Sequence, residues 1–219
     1  MKKGIIYYTD NKLDPEIMEL CQKQLLKADL PIVSVTLKPI DFGKNIHLPL
    51  ERGIETYFTQ IYTALLASDS EYIFFCEHDC LYPKSHFDFI PPTKDKFYYN
   101  HNWVKIDWPY TKAVSWEADQ VSGLCVSREL ALEHYKKMVD RFDKETFNRS
   151  YEPESGQSGS WESPEPYIDI RHRTAMTKSK WTLDDFRDKK TAKNFKEVKL
   201  PEWAKSVEKE IMWNTNIPK

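Results

Sequence analysis

Three apolar runs separated by two helical periodicities constrain this chain more than any other feature. Gly4–Tyr8 (GIIYY), Ile32–Leu37 (IVSVTL) and Glu71–Cys76 (EYIFFC) are rich in β-branched and aromatic residues, which favours strands. The third is the continuous kind of run expected of a central strand. Between the first two, Ile17, Leu20, Cys21, Gln24, Leu25 and Ala28 recur at helical spacing. They follow Asp14-Pro15, an N-cap residue with proline at the first helical position. Between the second and third runs, Ile54, Tyr57, Phe58, Ile61, Tyr62, Leu65 and Leu66 mark a helix over about 51–67. Strand–helix–strand units of this kind favour a parallel sheet. Residues 39–49 read as a loop.

Beyond Pro83 the pattern turns β-rich. Phe97–Asn100, Trp103–Ile106, Lys112–Trp116 and Val121–Val126, with Gly123 inside it, read as strands. Ser127 can cap a helix from Arg128 to about Phe142. The stretch 152–166, with Ser155-Gly156-Gln157-Ser158-Gly159-Ser160 at its centre, predicts a mobile loop. Tyr167–Ile170 resumes the apolar pattern. Residues 183–219 are polar and weakly helical, and are expected to wrap the surface. There is no internal repeat, and the order of elements is that of one α/β domain.

A chain of 219 residues can bury roughly 70% of its unfolded surface, so it needs no disulfide staples. Cys21, Cys76, Cys80 and Cys125 read as free thiols. No stretch nears the ~20 apolar residues of a membrane helix. The apolar part of MKKGIIYYTD is too short for a signal peptide, so a cytoplasmic location is expected. Without a secretion signal, the Asn148-Arg149-Ser150 sequon carries no weight. A net charge of -2 gives no broad positive field for nucleic acid. The lysine-rich segment 178–199 is the local exception. It reads as a solvated face, or as a patch for a polyanion or diphosphate.

The chemistry concentrates at Glu77-His78-Asp79, where the third apolar run stops. In open α/β sheets ligands bind beyond the carboxyl ends of strands. Two carboxylates one residue apart can approach one divalent cation, and oxygen donors suit Mn²⁺ or Mg²⁺. A short acidic turn can also do no more than cap a following helix. Its position after a βαβα unit favours the functional reading. Such a cation neutralises a diphosphate leaving group.

This order of elements, with an acidic-x-acidic motif at this point, resembles the GT-A fold nucleotide-sugar glycosyltransferases, and in size the small phage and bacterial ones. The resemblance spans about residues 3–180. It implies an α/β fold with a Rossmann-like nucleotide-binding half (1–82), a mixed central sheet, an irregular acceptor half (83–182) and a tail (183–219). It also implies a metal-dependent hexosyl- or pentosyltransferase, with a UDP-sugar favoured as donor. The acceptor would be a saccharide or a hydroxymethylated DNA base. Asp79 would contact the metal, Glu77 the metal or the ribose, and His172 would complete the shell. Thr9, Asp10, Asn11, Arg52 and Lys178 would hold the donor. Trp116, Gly123 and Trp161 would line the acceptor site, Trp161 on closure of its loop. Glu165 and Asp169 would be the candidate catalytic bases of an inverting enzyme, whereas a retaining one would need no base and would rely on the leaving phosphate. Pro166 departs from the acidic pair that inverting enzymes of this type carry.

Two other classes remain open. Cys76, His78 and Cys80 could offer a zinc site if the strand continued through them, although a structural zinc normally needs a fourth ligand. A non-catalytic nucleotide-sugar-binding module is the other. A nucleotidyltransferase is disfavoured because Thr9-Asp10-Asn11-Lys12 contains no glycine-rich phosphate loop.

Overall fold

The computed structural model describes residues 1–107, 112–142, 153–175, 178–205 and 207. Trp108 and the sequon at 148–150 lie outside the described residues. In chain order the elements are β1 (Lys3–Thr9), α1 (Pro15–Leu26), β2 (Ile32–Thr36), β3 (Lys44–His47), α2 (Ile54–Ala67), β4 (Tyr72–Glu77) and β5 (Cys80–Leu81). They continue with β6 (Phe97–Asn100), β7 (Trp103–Asp107), β8 (Ala113–Ser115), β9 (Leu124–Ser127), α3 (Arg128–Phe142), β10 (Ser158–Trp161), β11 (Tyr167–Arg171) and β12 (Lys196–Glu197). A seven-stranded sheet has the order β10-β6-β9-β4-β1-β2-β3, and a five-stranded sheet the order β12-β8-β7-β11-β5.

The parallel core expected from the three apolar runs is present. β1 pairs in parallel with β2 and β4, and β2 with β3. β9 then joins β4 antiparallel, which makes the sheet mixed. Residues of the two expected halves therefore share one sheet. Alternation along the strands sorts the core. Ile6, Val33, Ile73 and Phe75 face one layer with Phe58, Ile61 and Leu65 of α2 and Tyr135 of α3. Ile5, Tyr7, Phe74 and Cys76 face the other, with Trp103 and Tyr167 of the second sheet. Phe74 is fully buried, and truncating such a side chain costs about 3–5 kcal/mol. The far side of the second sheet is closed by Leu13, Ile17 and Leu20 together with Leu200 and Ala204.

Several local expectations are corrected. The 39–49 segment contains β3, an edge strand too polar to signal itself. It is set by Ser34 Oγ donating to Phe42 O (2.6 Å) and by Gly43 at φ +61. Val121–Gly123 is a 3-10 turn, so Gly123 precedes β9 instead of lying within a strand. Ser127 stands directly before α3 as expected, and its hydroxyl also donates to Lys94 O (2.6 Å). The 152–166 stretch contributes β10, which pairs in parallel with β6. The tail is more than a surface wrap. Phe186, Ala192, Leu200 and Ala204 are buried, and β12 pairs with β8. These anchors are too widely spaced to leave a periodic signal.

Candidate functional site

β4 ends at Glu77, and His78-Asp79 forms the turn into β5. β5 lies antiparallel to β11, with Cys80 opposite Asp169. Ile170 N–H donates to Asp79 O (2.8 Å). This pinning carries the end of β11 past the acidic turn and sets His172 beside it. His172 Nε2 lies 3.2 Å from Asp79 Oδ2. The ring is held from its other nitrogen by Thr174 Oγ1 (2.9 Å), whose hydroxyl donates to Lys12 O (3.0 Å).

The carboxyl end of β1 closes the site from the opposite side. His78 Nδ1 meets Thr9 Oγ1 at 2.5 Å and Asp10 Oδ1 at 3.9 Å. Arg52 Nε pairs with Asp10 Oδ2 (2.6 Å), and its guanidinium donates to Thr174 O (2.7 Å). Arg52 does not open α2 as expected, because Gly53 precedes the first helical residue. It stands in the preceding loop, where it ties the β1 end to the segment after β11. Gln60 of α2 donates its amide to Thr9 O (2.8 Å) and Val35 O (2.9 Å), which holds the ends of β1 and β2 to the helix.

These side chains line a cleft of about 360 Å³. Thr9, Asp10, Arg52, Glu77, Asp79, Asp169 and His172 all border it, together with Tyr8, Tyr57, Gln120 and Arg171. Burial, then the charges of Asp79 and Asp169, push Glu77 up to about 8. Burial also raises Asp79, but the His172 hydrogen bond and the His78, His172 and Arg171 charges outweigh it and leave Asp79 lowered. His78 is lowered by burial. On the far wall, Asp169 Oδ2 faces Lys105 Nζ (3.4 Å), and Asp169 Oδ1 lies 3.8 Å from Arg171 Nε. Burial lowers Lys105, and Asp169 opposes that shift.

His78, Asp79 and His172 each present one donor atom, all within 4.8 Å of one another, and Glu77, Asp79 and Cys80 form a second such set. Burial raises the Cys80 thiol, and Cys80 packs in the core beside Tyr82 without bordering the cleft. The first set therefore fits a divalent cation better. The trio Cys76, His78 and Cys80 is not such a set among the described residues. The strand stops at Glu77, so the alternation that would align the three is broken, and Cys76 packs in the core.

The remaining expected residues stand apart from the cleft. Asn11 adopts φ 57, and its Oδ1 accepts from Leu37 N (2.8 Å) and Lys38 N (2.9 Å), a latch between the β1 and β2 ends. Lys178 is exposed and does not border the cleft. Trp116 is buried against Trp103 and Phe186. At Gly123, a Cβ would lie 2.9 Å from the Tyr167 hydroxyl and 3.1 Å from Asn100 O, so the glycine serves interior packing. Trp161 stacks on Phe89 at 4.3 Å. Glu165 accepts from Ser85 Oγ (2.9 Å) and borders a separate cleft of about 330 Å³ with Trp203 and Lys199. Sequence reasoning missed Arg171 and Gln60. Only the pairing of β11 beside the acidic turn reveals the first, and the second lay inside an apolar helical stripe.

No protein-family model matches the chain, and no curated protein matches it by sequence. Solved structures do match. A glycosyltransferase involved in glycosylation of the major capsid of PBCV-1 superposes with TM-score 0.52 at 9% identity, covering 81% of this chain and 95% of that one. HddC from Yersinia pseudotuberculosis gives TM-score 0.45 at 12% identity over 77% and 93% of the two chains. A mutant Drosophila β-1,4-galactosyltransferase 7, in complex with manganese, UDP-Gal and xylobiose, gives 0.44 at 13% identity over 84% and 79%. The mixed sheet, the helices on its outer face and the PBCV-1 likeness together give this protein a GT-A-like glycosyltransferase fold.

Proposed function

We propose that the protein is a glycosyltransferase that moves a hexosyl or pentosyl group from a nucleoside diphosphate-sugar, with UDP favoured, to an acceptor hydroxyl. The observation that carries this reading is the meeting of Asp79 with His172 and His78 in a cleft at the carboxyl ends of β1 and β4, where open α/β sheets bind ligands. A bound divalent cation would neutralise the leaving diphosphate there. Two imidazoles and a carboxylate suit Mn²⁺ better than Mg²⁺. Asp79, His172 and His78 would hold it, with Glu77 beside them.

The chain's own side chains supply the rest. Thr9 ends β1 and Asp10 follows it, where ribose and base would lie against Tyr8 and Tyr57. Arg52 and Arg171 set positive charge on the cleft wall for the phosphates. A saccharide acceptor is favoured over a modified DNA base. Asp184, Asp185 and Asp188 interrupt the lysine-rich segment, and Lys189 Nζ is paired with Asp184 (2.6 Å). No helix among the described residues is long and apolar enough to cross a membrane.

The test is thermal unfolding with UDP-, GDP-, CMP- and dTDP-sugars, each with and without Mn²⁺. Ligand at a hundred times its dissociation constant adds about 2.7 kcal/mol, a rise of roughly 5–10 °C for a chain of this size. Stabilisation by one nucleotide class only when Mn²⁺ is present supports the reading. No stabilisation by any of them rejects it.

A further inference from the structure

The two carboxylates expected to serve as catalytic base are poorly placed for it. Glu165 is held by Ser85 Oγ and faces the separate cleft with Trp203. Asp169 faces the buried ammonium of Lys105. Another proton acceptor sits on the same edge of the main sheet. Tyr98 of β6 and Phe74 of β4 both pair with Cys125 of β9. β6 and β4 run in the same direction, since each is antiparallel to β9. Three residues on, β4 ends at Glu77 and His101 is the residue that follows β6, which sets the two level, two strand spacings or roughly 10 Å across the sheet. Its main chain is fixed by His101 N–H donating to Trp161 O (2.9 Å). His101 Nε2 lies 2.7 Å from Asp119 Oδ1, with the histidine side chain 16% exposed and the aspartate 51%. Gln120, next to Asp119 in the chain, borders the cleft.

We propose that His101, oriented by Asp119, is the general base that takes the proton from the acceptor hydroxyl, so that transfer inverts the anomeric configuration. This rests on the transferase reading above. Nε2–H is donated to Asp119, which leaves the Nδ1 lone pair for the acceptor proton. The acceptor oxygen forms the new bond to the anomeric carbon with its own electron pair. The anomeric C–O bond breaks, and its pair leaves with the nucleoside diphosphate. Asp119 offsets the positive charge that appears on the imidazole. One displacement without a covalent intermediate inverts the centre.

The experiment measures hydrolysis of UDP-glucose, UDP-galactose, GDP-mannose and dTDP-glucose with Mn²⁺, then continues with the sugar that wild-type protein cleaves fastest. His101→Ala should lose about 10²–10⁴ of that rate. Its thermal midpoint and its stabilisation by UDP and Mn²⁺ should match wild type. Azide carries no proton to give up, so it should restore the variant's turnover by at least about tenfold and leave wild type within about twofold. The glycosyl azide should have the anomeric configuration opposite to the donor by NMR. Asp119→Asn acts through His101 and should lower kcat about tenfold with KM for the donor unchanged. His101→Asn serves if the alanine variant folds poorly. A His101 variant within about threefold of wild type overturns the inference, as does absence of azide rescue or a product of retained configuration. If wild-type protein cleaves none of the four sugars, the transferase reading falls and this inference falls with it.

Discussion

Asp79 and His172 stand 93 positions apart in the chain, yet Asp79 Oδ2 and His172 Nε2 lie 3.2 Å apart. The contact is made by backbone pairing and not by the side chains alone. β11 runs beside β5, and Ile170 N–H caps the Asp79 carbonyl, so the chain two residues on can only pass the acidic turn. The ring is then locked by Thr174. A hydrogen bond that fixes the second nitrogen of an imidazole is the usual support of a metal-ligating histidine.

Loss of that support should be measurable. Thr174→Val removes the hydroxyl bonded to His172 and to Lys12 O. Such changes weaken metal affinity about 10–100-fold. Mn²⁺ titration of the variant should show this weakening, with the thermal midpoint of the metal-free protein moved by no more than a few degrees.

Arg52 joins the two sides of the cleft through Asp10 and Thr174. Its side chain is 35% exposed, so the ion pair contributes little to stability, about 0–1 kcal/mol. Arg52→Ala should therefore leave the urea midpoint nearly unchanged. It should weaken UDP binding in the presence of Mn²⁺ by about tenfold or more, the scale of one lost charge-assisted hydrogen bond. Calorimetric titration checks both the affinity and the stoichiometry.

His86 is a buried imidazole among Phe74, Tyr82, Phe87, Trp161 and Tyr167. Asn100 donates to its Nδ1 (3.0 Å), and its Nε2 has no hydrogen-bond partner among the described residues. Burial lowers it to about 3, against about 6.5 in an unfolded chain. Between those values the unfolded chain takes up a proton that the folded one refuses, so stability falls as pH drops through this window. Above pH 6.5 the group contributes no pH dependence. His86→Leu should gain on wild type by about 2 kcal/mol between pH 7 and pH 5, read from urea unfolding at each pH. Asn100 keeps its bond to Ser163 Oγ (2.8 Å) in that variant. Parallel pH curves would show that His86 is not buried neutral.

Gly43 turns the chain into β3 at φ +61, and a Cβ there would lie 2.7 Å from Ile32 O. Left-handed backbone and a clash with main chain act together. Gly43→Ala should cost about 2 kcal/mol or more in urea unfolding. Gly53, whose added Cβ would meet no atom of the described residues within 4 Å, is the matched control and should tolerate alanine within about 0.5 kcal/mol.

Much of the parallel half was legible in the sequence because each element there is long, apolar and strongly periodic. Asp14 caps α1 by accepting from Glu16 N (3.0 Å) as its position implies. Glu77-His78-Asp79 sits at a strand end because the apolar run stops there. What escaped was carried by pairing between distant segments. β3 is four residues of mixed polarity at a sheet edge. β10 lies in a glycine- and serine-rich stretch that signals a loop. Trp116 and Trp161 looked like sugar platforms because tryptophan serves both interiors and binding faces, and only their partners show that both pack inward. Lys105 gains meaning only from the register of β11 on β7, which sets Asp169 opposite it.

The most direct measurement is the binding isotherm of Mn²⁺ with UDP present, followed by loss of the free Mn²⁺ paramagnetic resonance signal, for wild type and Asp79→Asn. Asparagine keeps the shape and removes the charge. Saturable one-site binding in wild type, weakened about a hundredfold or more in the variant while the unfolding curve stays in place, is the expected result. Equal binding by the two proteins would mean that the cation is held elsewhere, or not at all, and would remove the basis for a metal-assisted transferase.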